Sequence, residues 1–203
     1  MKSKIYTQWE DPQSENAIYI GPIFKRQDNH NKCQDSKYVF VTVGTREEPF
    51  ARLIKGVEDL VKKGIIKEKV IVQAGHTKYR SDHAEVFDFC PPEKIDELIM
   101  NTKYVITQES AGIGTQCLKY NTKFIVMPRD YRYGELPTQS DMKEDLQDKL
   151  EEMGYTKVVR NTDELEKAIV NIDNLKTGFE FNNSLAIAIL HKAVGNDPMS
   201  NVS

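Results

Sequence analysis

The fold of this chain turns on Tyr104–Val105–Ile106–Thr107–Gln108–Glu109–Ser110–Ala111–Gly112–Ile113–Gly114–Thr115–Gln116–Cys117–Leu118. The first residues form an apolar, β-branched run that reads as a buried strand. Small and polar residues interrupt it, and Leu118 with Tyr120 marks a helix already under way. Strand, glycine-containing turn and helix start, in that order, is how α/β proteins assemble an anion site. Glycine lets the backbone approach a phosphate, and the first free N–H groups of the helix point at it. The same pattern also fits a βα connection that uses glycine only to turn tightly. The flanking elements have to choose between the two.

Upstream, Tyr38–Val39–Phe40–Val41–Thr42–Val43 is a continuous β-branched and aromatic run, a strand buried on both faces, ended by Gly44–Thr45. Phe50, Leu53, Ile54, Val57, Leu60 and Val61 follow at helical spacing, with Pro49 near the first turn and Gly64 closing the helix. Lys69 to Gly75 is the next strand and its exit. Strand, helix and strand at this length make a βαβ unit, hence a parallel sheet. Glu85–Val86–Phe87–Asp88–Phe89 alternates as a third strand, and Pro91–Pro92 stops it and starts a helix carrying Ile95, Leu98 and Ile99.

Downstream, Lys123 to Met127 reads as a fifth strand ended by Pro128, then a polar loop holds Tyr131, Tyr133, Gly134 and Pro137. A helix is predicted from about Asp141 to Met153 with Gly154 as its C-terminal cap. Lys157–Val158–Val159 is a sixth strand, and Thr162 is read as the start and cap of another helix facing inward with Leu165, Ala168, Ile169 and Ile172. Leu185, Ala188 and Ile189 suggest a last helix. The result is an α/β, Rossmann-like parallel sheet of about six strands with helices on both faces. Residues 1–36 read as an N-terminal extension and linker, and 37–203 as the domain. The apolar island Ala17 to Phe24 fits either an edge strand docked on that domain or the remnant of a preceding one.

Composition narrows the function. The chain has 203 residues, 29% of them charged, and a net charge of −3, so there is no basic field for nucleic acid. No apolar run spans a bilayer and no signal segment opens the chain. Cys33, Cys90 and Cys117 are odd in number and widely spaced, which points to a reducing, cytoplasmic compartment. His76, His83 and Cys90 lack zinc-ligand spacing, so no metal site is expected, nor any other cofactor. G-x-S-x-G and G-x-x-x-x-G-K-[ST] motifs are absent. Gly112-x-Gly114-x-x-Cys117 only faintly imitates a dinucleotide fingerprint, because its first glycine comes late and Cys117 is large for the third position.

In an open parallel sheet, ligands bind beyond the carboxyl ends of the strands. That rule gathers Gly44 and Thr45, Gln73, Gly75 and His76, Phe89 and Cys90, Gln108 to Gln116, and Arg129 to Asp141 at one edge. Two of these segments are glycine turns with hydroxyl neighbours, which suits a phosphorylated ligand.

With these elements in place, the chain resembles a known domain. Val39–Phe40–Val41–Thr42–Val43–Gly44–Thr45 followed by Pro49–Phe50–Ala51–Arg52–Leu53–Ile54 is similar to the start of the C-terminal domain of the MurG-type (family 28) glycosyltransferases, in its stand-alone form. That form includes the catalytic subunit of the two-part UDP-N-acetylglucosamine transferase of lipid-linked oligosaccharide synthesis. Val72–Gln73–Ala74–Gly75, Ile106–Thr107, Ile125–Val126–Met127–Pro128–Arg129, Gly134–Glu135 and Lys149 to Tyr155 fall in register.

The resemblance implies the donor-binding half of a GT-B enzyme. A UDP-sugar, foremost UDP-GlcNAc, would be held here, and a membrane-anchored partner subunit would supply the acceptor site and the general base. Membrane-face association would come only through that partner. On this reading the backbone of Ser110, Gly112, Ile113 and Gly114, with Gly44 and Thr45, holds the diphosphate. The main chain at Phe89 faces the base, Gln116 the ribose, and Arg129, Glu135 and Asp141 the sugar.

Departures from the family pattern are Gln108, Glu109 and Ser110 where His-Gly-Gly is usual, Ile113 for a serine, and Gln116 for a ribose-contacting glutamate. Leu136 and Thr138 to Asp141 replace a histidine and an Asp-His-Gln segment. Glu109 beside a diphosphate would repel it unless Arg129 or a metal compensates. These departures keep open an alternative, a non-catalytic scaffold or regulatory subunit that has lost donor binding.

Overall fold

Six strands carry the main sheet, and all of them run parallel. The computed structural model describes residues 38–139 and 146–180, together with the backbone of two short strands at 5–7 and 17–19. The chain divides into two units, residues 1–27 with 180–203, and residues 28–179.

In the first unit, β1 (Ile5–Thr7) pairs in parallel with β2 (Ala17–Tyr19). The apolar island thus supplies a strand whose partner, Ile5–Thr7, lies in a stretch that reads as polar in the sequence. The expected last helix at Leu185 to Ile189 lies outside the described residues.

In the second unit the order is β3 (Tyr38–Thr42), α1 (Ala51–Lys62), β4 (Lys69–Gln73), β5 (Glu85–Phe87), α2 (Pro92–Asn101), β6 (Val105–Thr107), α3 (Ala111–Lys119), β7 (Phe124–Val126), α4 (Leu146–Glu152), β8 (Thr156–Val158) and α5 (Thr162–Val170). Across the sheet the strands lie β5-β4-β3-β6-β7-β8. The first strand of the unit is therefore central, and the order reverses between β3 and β6. That is the doubly wound arrangement, with its topological switch point at the β3/β6 boundary.

The periodicities explain the layering. Val39, Val41 and Val43 pack with Val70, Val72, Ile106 and Ile125 against Leu53, Ile54, Val57 and Leu60 of α1 and Leu165 and Ile169 of α5. Each such side chain contributes roughly 1.5–3 kcal/mol on burial. Alternate residues, Phe40, Val105, Phe124 and Val126, are equally buried on the other face, where α2, α3 and α4 lie. The amide of Phe50 that opens α1 donates to Thr77 Oγ1 at 2.8 Å, tying two carboxyl-end loops together.

Several boundaries differ from expectation, among them these. The third strand ends at Phe87, where pairing with Gln73 stops, and leaves Phe89 exposed. The cap of α5 is Asn161, not Thr162: Asn161 Oδ1 accepts the Glu164 amide at 2.8 Å. Glu164 reaches back to the Arg160 amide at 2.7 Å. An asparagine acceptor one residue earlier satisfies the free amides better than Thr162, which begins the helix itself. The predicted start of α4 at Asp141 lies outside the described residues.

Candidate functional site

At the switch point, β3 leaves through Thr42–Val43–Gly44 and β6 through Thr107–Gln108–Glu109–Ser110 into α3. Gly44 takes a left-handed conformation, φ 74°. Its amide donates to Thr42 Oγ1 at 3.2 Å, and that hydroxyl donates to Gln73 Oε1 at 2.6 Å. Gly75, at φ 54°, faces the Gly44 carbonyl, and Phe89 borders the same spot. Half-exposed Phe89 meets His76 edge to face at 5.0 Å. Gly44, Gln73, Gly75 and Phe89 are therefore contiguous, while Thr45 is exposed beside them.

Ser110 caps α3. Its Oγ accepts from the Ile113 amide at 3.4 Å, and its carbonyl accepts from the Gly114 amide at 3.0 Å. First-turn amides have no intrahelical acceptor, so those of Ala111 and Gly112 are available to a ligand or to water. Both residues are exposed, and a side chain at Gly112 would meet only Ser110 Oγ, at 3.8 Å. Ile113 is half-buried, and Gly114 is buried against Gln147. Gln147 Nε2 donates to the Ser110 carbonyl at 3.1 Å, which ties α4 to the start of α3. One turn along, Gln116 Nε2 donates to Asp96 Oδ1 at 2.9 Å.

Arg129 and Glu135, expected on the sugar side, are 2% and 3% exposed and have partners within the protein. The Arg129 guanidinium donates to Gln108 Oε1, to the Glu48 carbonyl at 2.7 Å, to the Val43 carbonyl at 2.9 Å and to the Glu135 carbonyl at 3.3 Å. Burial pulls its pKa below the ordinary arginine value. A buried cation is tolerable only with its N–H groups satisfied, and carbonyls at the strand exits supply that.

Glu135 is held from both oxygens by Arg52 at 2.9 and 2.8 Å, and accepts the Asp130 amide at 2.9 Å. Both guanidinium groups lie over the Phe50 ring, that of Arg129 4.9 Å and that of Arg52 5.3 Å from its centre. The backbone amide of Arg129 also donates to Glu109 Oε2 at 2.9 Å. These groups form a brace under the carboxyl edge.

Asp141 lies outside the described residues. The residues that sequence reasoning passed over as partners are Arg52, Asp96 and Gln147. Their roles depend on meetings across 83, 20 and 37 positions, for which no local pattern exists. Among the described residues no cluster of His, Cys, Asp and Glu is arranged to hold a metal, and no helix is long and apolar enough to cross a membrane.

The sequence profile of the glycosyltransferase family 28 C-terminal domain matches residues 38–194. No curated protein matches the chain. Among solved structures, one described as a UDP-N-acetylglucosamine 2-epimerase from Listeria monocytogenes is similar with TM-score 0.56 and 12% identity, over 84% of this chain and 48% of that one. MnaA of S. aureus, solved with UDP, has TM-score 0.55 and 12% identity, over 91% and 55%. The glycotransferase of kitacinnamycin has TM-score 0.53 and 15% identity, over 77% and 41%. At such identities the likeness speaks for the fold, and this chain spans only 41% to 55% of those structures. On the profile match, which covers most of the chain and the whole six-stranded sheet, the protein belongs to the glycosyltransferase family 28 C-terminal domain family.

Proposed function

We propose that this domain binds the nucleotide-sugar donor of a glycosyltransferase. The observation that carries the reading is the exposed first turn of α3, capped by Ser110 and open at Gly112, placed at the switch point of the sheet. Helix-start amides and the helix dipole suit the diphosphate of a UDP-sugar, UDP-GlcNAc foremost. Gly44 and Thr45 border the phosphates, Phe89 the base, and Gln116, oriented by Asp96, the ribose.

In the transfer, an acceptor hydroxyl attacks the anomeric carbon as the bond to the UDP oxygen breaks. This domain would stabilise the negative charge that develops on the leaving diphosphate. The acceptor, lipid-linked or polysaccharide, and the base that takes its proton would belong to a membrane-anchored partner subunit. The chain itself would then be cytoplasmic and peripheral to the membrane.

One observation favours a second reading, a scaffold that no longer binds donor. The Glu109 carboxylate sits next to the Ser110 cap, where it opposes a second anion.

Calorimetric titration of the purified chain with UDP and UDP-sugars decides between them, with Gly112→Trp as the blocked site. Donor binding predicts dissociation constants between about 1 μM and 1 mM, lost in the variant. No binding, with and without the partner subunit, would leave the scaffold.

A further inference from the structure

We infer that the turn Tyr131–Arg132–Tyr133 is a stacking platform for a neutral carbohydrate, through which this chain itself touches the glycan that receives the sugar. Saccharide binding at the turn stands on its own observations, and its role as the acceptor rests on the donor-binding reading above.

Two large aromatic rings stand in water here, Tyr131 at 46% and Tyr133 at 63% exposure. The backbone beneath them is fixed. Tyr131–Tyr133 is one turn of 3-10 helix, closed by the Gly134 amide on the Tyr131 carbonyl at 2.9 Å, with Gly134 left-handed at φ 69°. Asp130 caps the turn, and Glu135 and Leu136 behind it are buried. The Glu135 carboxylate accepts from the Asp130 amide and from Arg52. The Arg52 guanidinium in turn lies over the Tyr133 ring, 4.8 Å from its centre. A ring held in place before a ligand arrives loses little freedom on binding.

Size and charge name the occupant. Two tyrosine rings bury at most about 250 Å² each, short of the roughly 800 Å² per side of a stable protein interface. The other exposed large apolar side chains among the described residues do not extend the patch. Phe89 follows β5, four strands away from β7 across the sheet, and Met153 and Val170 stand at the carboxyl ends of α4 and α5. Both cations beside the rings are already paired, Arg132 with Asp130 at 3.0 Å and Arg52 with Glu135 at 2.8 Å, so the turn offers an anion no net charge. The C–H face of a pyranose ring, faintly positive, fits the negative face of an aromatic ring. Arg132, whose side chain is 78% exposed, has further N–H groups for the sugar hydroxyls. The turn follows β7, whose neighbour β6 leads to α3. Platform and donor site therefore share the carboxyl edge, one strand apart, which suits an acceptor brought up to a donor.

The test follows the NMR signals of the full chain while chitotriose, cellotriose or maltotriose is added, with UDP titrated separately. At least one trisaccharide should bind with a dissociation constant between about 0.1 and 10 mM and shift the Tyr131 and Tyr133 signals. Tyr133→Ala should weaken it at least about tenfold and Tyr131→Ala about threefold, whereas Tyr133→Phe keeps the ring face and stays within about twofold. Because the rings are exposed, UDP affinity and the thermal midpoint should barely move in these variants. A parent that binds UDP but none of the trisaccharides overturns the platform and leaves donor binding standing. Trisaccharide binding without UDP binding supports the platform and removes the donor reading, and binding of neither removes both. Tyr133→Ala binding as well as the parent would overturn the inference. So would tyrosine-dependent sedimentation with phosphatidylglycerol vesicles by a chain that binds no trisaccharide, which would make the turn a membrane contact.

Discussion

Gly75 presses its α-carbon toward the Gly44 carbonyl oxygen, so that a β-carbon at position 75 would lie 2.3 Å from it. The loops leaving β3 and β4 touch backbone to backbone, and no side-chain rotation relieves an added methyl. Gly75 also has φ 54°, which L-residues rarely adopt. Gly75→Ala should therefore destabilise by roughly 2–4 kcal/mol in urea unfolding. Gly64→Ala, at φ 71° with nothing within 4 Å, should cost only about 1–2 kcal/mol. Equal losses at the two sites would contradict the close approach.

Arg52 and Glu135 form an ion pair whose side chains are 19% and 3% exposed. Removing Arg52 leaves a buried carboxylate whose one remaining hydrogen-bond donor among the described residues is the Asp130 amide. Arg52→Ala is expected to cost about 3 kcal/mol, the low end for breaking a buried pair because Arg52 keeps some contact with water. A double-mutant cycle with Glu135→Ala should return a coupling above about 1.5 kcal/mol, and a coupling near zero would refute the pairing.

Thr107 ends β6 with a buried hydroxyl that has no hydrogen-bond partner among the described residues. An unpaired buried hydroxyl costs about 1–3 kcal/mol, and valine has the same shape without it. Thr107→Val should raise the unfolding free energy, by up to about 1 kcal/mol. A clear loss of stability would mean that the hydroxyl is used.

Acid should loosen the turn Tyr131–Tyr133. Asp130 caps it, accepting the Arg132 amide at 2.9 Å, and the Arg132 side chain holds the carboxylate below its ordinary pKa. A depressed carboxylate contributes stability above its unfolded value, near about 4, and loses it as pH falls through the folded value. Carbon-detected titration of the Asp130 carboxyl should show a midpoint below that of an ordinary aspartate, and Asp130→Asn should remove the acid response of the Tyr131 and Tyr133 signals. An ordinary midpoint would dismiss the cap as a pH-sensitive element.

Much of this architecture was legible because it rests on local periodicity. The β-branched runs at Tyr38 to Val43 and Val105 to Thr107, the helical spacing of Leu53 to Leu60 and the glycine after α1 need only neighbours in the chain to be understood. Parallel pairing followed from the alternation of strands and helices, and the carboxyl edge from that pairing. Where two acceptors competed one residue apart, as at Asn161 and Thr162, the pattern was not sharp enough.

The sequence by itself therefore determined the class of fold, the register of its main elements and the edge at which chemistry belongs. It could not assign Arg129 or Glu135, because a charged residue on a loop reads as solvated until partners appear. Those partners, Val43, Glu48 and Gln108 for one and Arg52 for the other, stand up to 86 positions away and meet only when the sheet closes. Tertiary structure alone decided that these charges brace the edge from within, since an ion enters the interior only where folding has already gathered the groups that replace its water.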